Sequence, residues 1–490
     1  MSNQTITSTD CNEQPTSSGK IKSAQKRLFG LSIQLTLAQI APLLTSLFVA
    51  GIIASFGGQV FSAYMLVSTI NITTFIAASG LMQALYYLFG RALGRDEPQI
   101  YRATMIAARR WVWILSTTCF LVSICIGPIT AFAGIDPELS RLAGQLGIIS
   151  AFGLPPMFSV MLFRIHASIN GRAGQVSMLY LIGGIITCCF ALAITFFVDL
   201  DPSKMVQAIA GALVASNWIL ALAAWFLVRR PPLVKALHGK VAKIERQSAF
   251  SSVWTIGWPV ALVIFLESLV SAISTVVVAR FWPEYVPLHS VVLLWVTVGL
   301  VIPLGVAQAT TQMVSIANAS EDLATRNKLA YTAIVISIFF GGLAAVIMSL
   351  FPAELGTILL GREPIRAQAG MLEQIMWLGG IMLASQSVII VSASALRGVG
   401  ITRAPLALAI IGYLGIGVGG AVWLGPVLDY GVQGLWYGLI AGFVITAIAV
   451  TYKVYTVFGP ATNTHSQGKV ISEAEKHFTK TNQLIERKTL

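Results

Sequence analysis

The stretch "SVWTIGWPVALVIFLESLVSAISTVVVARF", residues 252–281, decides the fold of this chain. Its apolar run exceeds the about 20 residues that an α-helix needs to cross a lipid bilayer. A single carboxylate, that of Glu267, lies near the centre of the run. A charge at that depth costs about 2.5 to 3.5 kcal/mol on insertion scales, so Glu267 requires a structural or functional reason.

Comparable apolar runs recur along almost the whole chain. The 490 residues are 56% hydrophobic and 11% charged, with a mean hydropathy of +0.78. Soluble domains carry about 25% charged residues. The runs do not alternate apolar and polar residues as the strands of an outer-membrane barrel do. The sequence predicts an all-α polytopic membrane protein with 12 transmembrane helices, centred near residues 42, 74, 120, 152, 186, 217, 265, 300, 340, 382, 414 and 444.

The distribution of basic residues predicts the orientation. With the N-terminus in the cytoplasm, 27 of the 32 Lys and Arg residues lie in the tails and cytoplasmic loops, and five lie in the opposite loops. This bias predicts a multi-pass membrane protein with both termini in the cytoplasm. The net charge of +12 therefore reflects topology, and a basic, aromatic-rich patch for nucleic acid is absent from the sequence.

The segments divide six and six around a basic hinge, and the two halves resemble each other. "VQAIAGALVASNWILALA" begins at Val206 and "VQGLWYGLIAGFVITAIA" begins at Val432, while Pro42 aligns with Pro259. Such a repeat predicts two six-helix lobes, related by a pseudo-two-fold axis along the membrane normal, with a cavity between them. That architecture is typical of transporters. The predicted parts are a disordered cytoplasmic N-tail (1–27), an N-lobe (28–228), a basic linker (229–247), a C-lobe (248–456) and a cytoplasmic C-tail (457–490).

Several motifs carry a resemblance to a known family. "GWPVALVIFLE" places a Glu after a Gly-x-Pro step, "ALRGVGITRAPLALAIIG" occupies residues 395–412, and "GVQGLWYGLIAG" occupies residues 431–442. Together these resemble the multidrug and toxic compound extrusion (MATE) transporters, and Glu267 falls on that family's glutamate in the seventh helix. The resemblance implies a secondary antiporter of the bacterial inner membrane.

Two positions depart from the family's pattern. Many bacterial members carry an Asp in the first helix, where the repeat places Ala50, and some carry an Asp in the tenth helix, where this chain has Gln386. The N-lobe cation site therefore looks absent, and the C-lobe site is reduced to one acid.

Glu267 is the predicted coupling residue. The sequence shows no Lys or Arg centrally in another segment, and Arg397 and Arg403 are interpreted as inner-surface anchors. A buried carboxyl without a basic partner can load and release a proton, and a bound organic cation would compete with that proton. The alternative is a structural Glu that pairs with a neighbouring helix or reaches the surface.

Other polar, aromatic and proline residues are candidates for the substrate cavity and for helix kinks. The cavity candidates are Gln308, Gln312, Gln386, Tyr413 and Trp295, and the favoured alternative for each is an interhelical hydrogen bond or a packing role. His289, at the outer end of the eighth helix, is either solvated or part of a proton relay. Kinks that free backbone carbonyls toward the cavity are predicted at Pro42, Pro259 and Pro303.

The favoured function is export of amphipathic, cationic organic compounds in exchange for protons by rocker-switch alternating access. Na⁺ coupling and a lipid-linked saccharide flippase are the alternatives. An enzyme is disfavoured because no catalytic constellation or metal-ligand pattern is visible. The expected partners are a small-molecule substrate and membrane lipid. We expect no metal and no cofactor beyond the coupling ion, and a monomer.

Overall fold

The computed structural model describes residues 17–198, 200–229, 239, 241–360 and 369–459, and these residues are helical almost throughout. The N-terminal lobe contains nine helices among its described residues. They are α1 Ser17–Ala54, α2 Gly58–Met82, α3 Ala84–Gly94, α4 Pro98–Ile124, α5 Ile126–Phe132, α6 Pro137–Ala151, α7 Leu154–Ile169, α8 Ala173–Phe197 and α9 Pro202–Val228.

The C-terminal lobe continues the numbering. Its elements are α10 Lys243–Phe281, a 3₁₀ turn Pro283–Tyr285, α11 Val286–Gly299, α12 Val301–Ala319, α13 Leu323–Leu350, α14 Pro352–Leu360, α15 Ala369–Arg397, α16 Arg403–Ala409 and α17 Gly431–Phe458. After α16 the same span continues as the π-helix Ile410–Val418, a short α-helix Gly419–Val422 and the π-helix Trp423–Val427.

These helices confirm the predicted twelve-span architecture. Among the described residues, eleven stretches are long and apolar enough to cross a membrane, and α6 with α7 forms a further span whose halves meet at 41°. Because twelve is even, the chain enters the first span and leaves the last at one face, which we call the termini side. The turns after α3, α7, α12 and α15 lie on that side as well. The orientation of this face in the cell stays a prediction.

Prolines begin several helices and interrupt others. Pro98, Pro137 and Pro202 occupy the first helical position, where a missing N–H costs nothing. Pro42 and Pro259 lie inside the uninterrupted helices α1 and α10. The third predicted kink coincides with an interruption, since α11 ends at Gly299 and α12, which contains Pro303, begins at Val301.

The predicted boundaries differ from the structure at three places. The N-tail was expected to be disordered to residue 27, whereas α1 begins at Ser17, because the segment "SGKIKSAQKRL" contains mainly good helix formers. Residues 1–16 lie outside the described residues. In the linker, α10 already begins at Lys243, while residues 230–238 and 240 lie outside the described part. The last helix extends to Phe458, and residues 460–490 of the predicted C-tail also lie outside it.

The two lobes meet on the termini side, along an interface that we call the seam. It is formed by α1, α2, α3, α4 and α7 of the N-lobe against α10, α12, α13 and α15 of the C-lobe. Gly90 and Gly94 of α3 face α12 so closely that a Cβ added at Gly94 would lie 2.6 Å from the carbonyl oxygen of Ile316. Such close approach of two helices through glycines four residues apart is typical of membrane proteins. The structure therefore shows the lobes closed on the termini side.

Candidate functional site

Glu267 lies midway along α10, partly buried inside the C-lobe. The hydroxyl of Tyr413 donates a hydrogen bond to its Oε1 at 3.2 Å. The side chain of Gln386, on α15, also contacts the carboxyl. The Oε1 atom of Gln386 is buried and has no hydrogen-bond partner among the described residues. A carboxyl, a hydroxyl and an open amide oxygen thus converge at one point, which suits a bound proton or a cation.

Local helix geometry positions Tyr413. The residue is fully buried in the π-helix Ile410–Val418, and its ring packs on Phe443 of α17 with a centroid distance of 4.6 Å. A π-helical turn holds more residues than an α-helical turn and is frequent at functional sites. The packing fixes the ring, so the hydroxyl can reach Glu267 without a large loss of side-chain entropy on contact.

A cavity of about 70 Å³ adjoins the carboxyl on the side of the seam. A cavity needs about 10–15 Å³ of such volume to hold one water, so this one has room for several. Its polar lining comes from both lobes: Gln83, Glu267, Gln308, Ser394, Arg397 and Thr402. In this closed state the cavity is far smaller than the about 300 to 1,000 Å³ of a drug-sized pocket.

The two predicted glutamines of α12 cross the seam. Gln308 lines the cavity, and its Oε1 accepts a hydrogen bond from the hydroxyl of Tyr86 at 3.1 Å. Gln312, one turn further along α12, accepts a hydrogen bond from Ser168 at 2.9 Å. Both side chains are buried. They join the lobes in this state, and their contact with a substrate stays a prediction.

Two other predicted residues lie away from the cavity. The indole of Trp295 donates to the carbonyl of Leu355 at 3.1 Å, which makes it an interhelical hydrogen bonder here. His289 was expected at the outer end of a helix, where it could be solvated, but its side chain is 0% exposed. Its Nε2 lies 3.2 Å from the hydroxyl oxygen of Ser274, and its ring packs edge-on against Trp436. The first turn of α11 faces the lobe core, which excludes the solvated alternative.

The sequence interpretation of the basic residues was wrong at two positions. Arg164 was counted with the loop residues, yet it lies inside α7 and is only 7% exposed. Arg397, interpreted as a surface anchor, is the last residue of α15, lines the cavity and donates to Gln83 across the seam at 3.2 Å. The sequence contained a signal for the burial of Arg164, because in "PPMFSVMLFRIHASI" apolar residues lie on both sides of it.

The N-lobe has a second cavity where the family has its first-helix acid. It occupies about 240 Å³ between α1 and α2 beside Ala50. Its polar lining consists of hydroxyl groups, from Ser46, Tyr64, Ser68, Thr69 and Thr73. Within the described part of the chain, no cluster of three His, Cys, Asp or Glu side chains is placed to hold a metal ion.

Comparison with known proteins bears directly on the resemblance. The MatE family model matches residues 259–423. The "Probable multidrug resistance protein NorM" of Rhizobium meliloti (strain 1021) is 25% identical over 433 residues, covering 86% of this chain and 90% of the relative. The protein of the same name in Deinococcus radiodurans is 24% identical over 432 residues, covering 87% and 94%.

Solved structures share the fold. A mutant of the Vibrio cholerae MATE transporter VcmN superposes with a TM-score of 0.79 at 15% identity, covering 90% of this chain and 98% of that chain. The eukaryotic MATE transporter AtDTX14 also gives a TM-score of 0.79, at 16% identity, covering 89% and 96%. The sequence matches and the shared fold confirm the resemblance to the MATE family, which is a family of transporters.

Proposed function

From the likeness of this chain to the MATE transporters in sequence and fold, we propose that it is a secondary antiporter of the bacterial inner membrane. It exports amphipathic organic compounds that carry a cationic group, and protons entering the cell drive the export. Glu267 is the coupling residue. The multidrug resistance proteins among its relatives support an organic substrate.

The contacts of Glu267 carry this proposal. Its carboxyl meets the hydroxyl of Tyr413 and the amide of Gln386, and a small polar cavity adjoins it. A proton needs one basic oxygen, whereas Na⁺ generally takes more oxygen ligands than these three side chains offer. This ligand set therefore favours a proton over Na⁺ as the coupling ion.

The exchange follows from competition for one carboxyl. A protonated Glu267 is neutral and leaves no charge for a cation to pair with. When the proton leaves, the carboxylate attracts a cationic group, and a new proton later displaces that group. Separation of the lobes at the seam gives access from the termini side, and closure of the seam gives access from the opposite side. Export requires that proton and compound occupy the site in turn, never together.

The test uses purified protein in liposomes that contain a pH-sensitive dye. Ethidium and norfloxacin are added to wild type, Glu267→Gln and Glu373→Gln. Glu373 is an exposed acid of the same lobe and serves as the matched control. We expect compound-dependent proton movement in wild type and Glu373→Gln, and its loss in Glu267→Gln, because the amide cannot take up a proton at neutral pH.

Other outcomes point to the alternatives. Exchange that survives Glu267→Gln would place coupling elsewhere and make Glu267 structural. Exchange driven by a Na⁺ gradient but not by a proton gradient would replace the coupling ion. Failure of wild type to exchange any compound with either ion would favour a lipid-linked saccharide as the cargo.

A further inference from the structure

Arg164 is a buried charge that the proposed mechanism does not use. The residue is 7% exposed, and its Nε is buried and has no hydrogen-bond partner among the described residues. The one ion pair within 4 Å in the described part of the chain joins Lys204 to Asp201, far from Arg164 in the sequence. A charge out of water is costly unless an opposite charge or several hydrogen bonds compensate it.

The groups around Arg164 are all neutral. One guanidinium nitrogen donates to the Oε1 of Gln39 on α1 at 3.2 Å. The hydroxyl of Tyr86 is a second partner, and the ring of Tyr180 lies 5.9 Å from the guanidinium carbon. Neutral acceptors and a ring face orient an arginine, but they do not neutralise it. The arrangement resembles a binding site from which the anion is missing.

A second arginine faces the same stretch of α2 and α3 from the other lobe. Arg397 donates a hydrogen bond to Gln83, the single residue between α2 and α3. Tyr86 follows three residues later, on the same helix face. Its side chain interacts electrostatically with both Arg164 and Arg397. Two cations thus flank one short segment at the seam, and Glu267 is the one acid among the residues that line the adjoining cavity.

We propose that Arg164 and Arg397 form a binding site for an anionic group, the carboxylate of an exported compound. The inference rests on the proposed function and narrows its substrate class. A compound with an amine and a carboxylate places the amine at Glu267 and the carboxylate at the arginines. Gln308, which lines the cavity of Glu267 and accepts from Tyr86, lies between the two ends.

The site opens when the seam opens. Arg164 and Ser168 are one turn apart on α7, so they share the helix face that meets the C-lobe at Gln312. The hydrogen bonds of Tyr86 to Gln308 and of Arg397 to Gln83 cover the same region in the closed state. Their rupture exposes both guanidinium groups to the termini side, where a compound is loaded for export. Bidentate pairing with a carboxylate then satisfies the free Nε of Arg164.

The experiment compares two probes that differ by one charge: norfloxacin, which carries an amine and a carboxylate, and its methyl ester, which lacks the carboxylate. Dissociation constants are measured by fluorescence titration on the full-length protein in detergent. Wild type is expected to bind the acid about tenfold more tightly than the ester, as a charge-assisted pair would. Arg164→Met is expected to remove that preference without weakening the ester, and Arg164→Lys to keep part of it.

Controls keep the test decisive if Arg164→Met folds poorly. Arg397→Met removes the second cation and is expected to reduce the preference for the acid. Arg141→Met, at an exposed position, should leave it unchanged. Equal affinity of wild type for both probes overturns the site, and so does a preference that survives both substitutions. Proton-coupled exchange of the ester is measured separately. Exchange of the ester together with equal binding of both probes would support the proposed antiporter and contradict the anion site.

Discussion

At the scale of single residues, the behaviour of Glu267 depends on the two side chains that contact its carboxyl. Tyr413 donates to one carboxyl oxygen, and the amide of Gln386 lies beside it. Neither of these partners is charged, and Arg397, which lines the same cavity, forms no ion pair with the carboxyl within 4 Å in the described part of the chain. A fixed but unpaired acid is what an exchange site requires, since a salt bridge would keep the acid ionised throughout the cycle.

Removal of the Tyr413 hydroxyl tests this arrangement. Tyr413→Phe keeps the ring that packs on Phe443 and deletes the hydrogen bond to Glu267. One such bond contributes about 1 kcal/mol, so we expect about a fivefold loss of exchange rate and little change in thermal stability. Initial rates in proteoliposomes and the unfolding midpoint in detergent measure the two effects.

The matched control is Tyr331→Phe, a partly buried tyrosine of α13 in the same lobe. Its exchange rate should equal that of wild type. An unchanged rate in Tyr413→Phe would show that the hydroxyl does not assist the carboxyl, while a collapse of stability in that variant would assign the tyrosine to packing.

At the scale of secondary-structure elements, the contact between α3 and α12 decides how tightly the seam closes. Gly90 and Gly94 present a bare strip of backbone to α12, with the side chain of Ser315 against Gly90. Dispersion contacts of this kind fall off within an ångström of separation. Closure of the seam is therefore sensitive to any side chain added on this strip.

Gly94→Leu is the corresponding test. The added side chain meets the backbone of Ile316, which cannot yield as a flexible side chain would, so α3 must move away from α12. Overpacking of this kind costs about 1–3 kcal/mol, and we expect about a tenfold loss of exchange. A cysteine introduced at Ser168 should also become more reactive toward a water-soluble thiol reagent added on the termini side.

Gly30→Leu provides the comparison, because a Cβ at Gly30 of α1 would meet nothing within 4 Å. We expect Gly30→Leu to show the exchange rate of wild type and the same reactivity of the cysteine at position 168. If Gly94→Leu behaves like Gly30→Leu, tight closure between α3 and α12 is not needed for transport.

Elements of this chain differ in how far the sequence reveals them. The apolar runs predict every span, because the bilayer imposes a minimum length that composition alone can satisfy. The π-helix around Tyr413 has no such signal, and its residues Gly412 and Gly417 pack closely against Gly442 of α17. The buried state of His289 was likewise hidden, because residues near a helix end are exposed or covered according to neighbours that are distant in sequence.

At the scale of the whole molecule, each lobe has an apolar core of its own, and further apolar clusters cross the seam. The apolar cluster that contains Trp436 consists of C-lobe residues alone. The apolar cluster that contains Val49 and Ile209 consists of N-lobe residues alone. Polar bonds, glycine contacts and two further apolar clusters link the lobes; one of these clusters joins Leu81 to Val253 and the other joins Leu35 to Val306. The two cores that belong to single lobes stay covered when the lobes part. This division suits movement of the lobes as rigid bodies.

A cross-link across the seam tests the need for that movement. In a background without native cysteines, Ser168→Cys and Gln312→Cys replace two residues whose side chains are 2.9 Å apart. A short bifunctional reagent that forms disulfides should join them, stop exchange and release it again on reduction. Each single variant treated with the same reagent should retain its activity.

Full exchange by quantitatively cross-linked protein would show that the seam stays closed during transport.

The sequence could predict that the two halves form lobes, from the repeat and the family motifs. It could not predict which residues hold them together, because the partners Gln83 and Arg397, or Ser168 and Gln312, are brought together only by the packing of one half on the other.

The absence of an acid at Ala50 sets the energetics of the transport cycle. With Glu267 as the one carboxyl in the middle of a span, the proposed mechanism returns one proton in each cycle. A monovalent cation exchanged for that proton leaves no net charge displaced, so its accumulation is limited by the pH difference alone. A zwitterion exchanged for the same proton moves one positive charge inward, and the membrane potential adds about 2.3 kcal/mol per 100 mV. The stoichiometry of a single acid thus favours compounds whose own charges cancel.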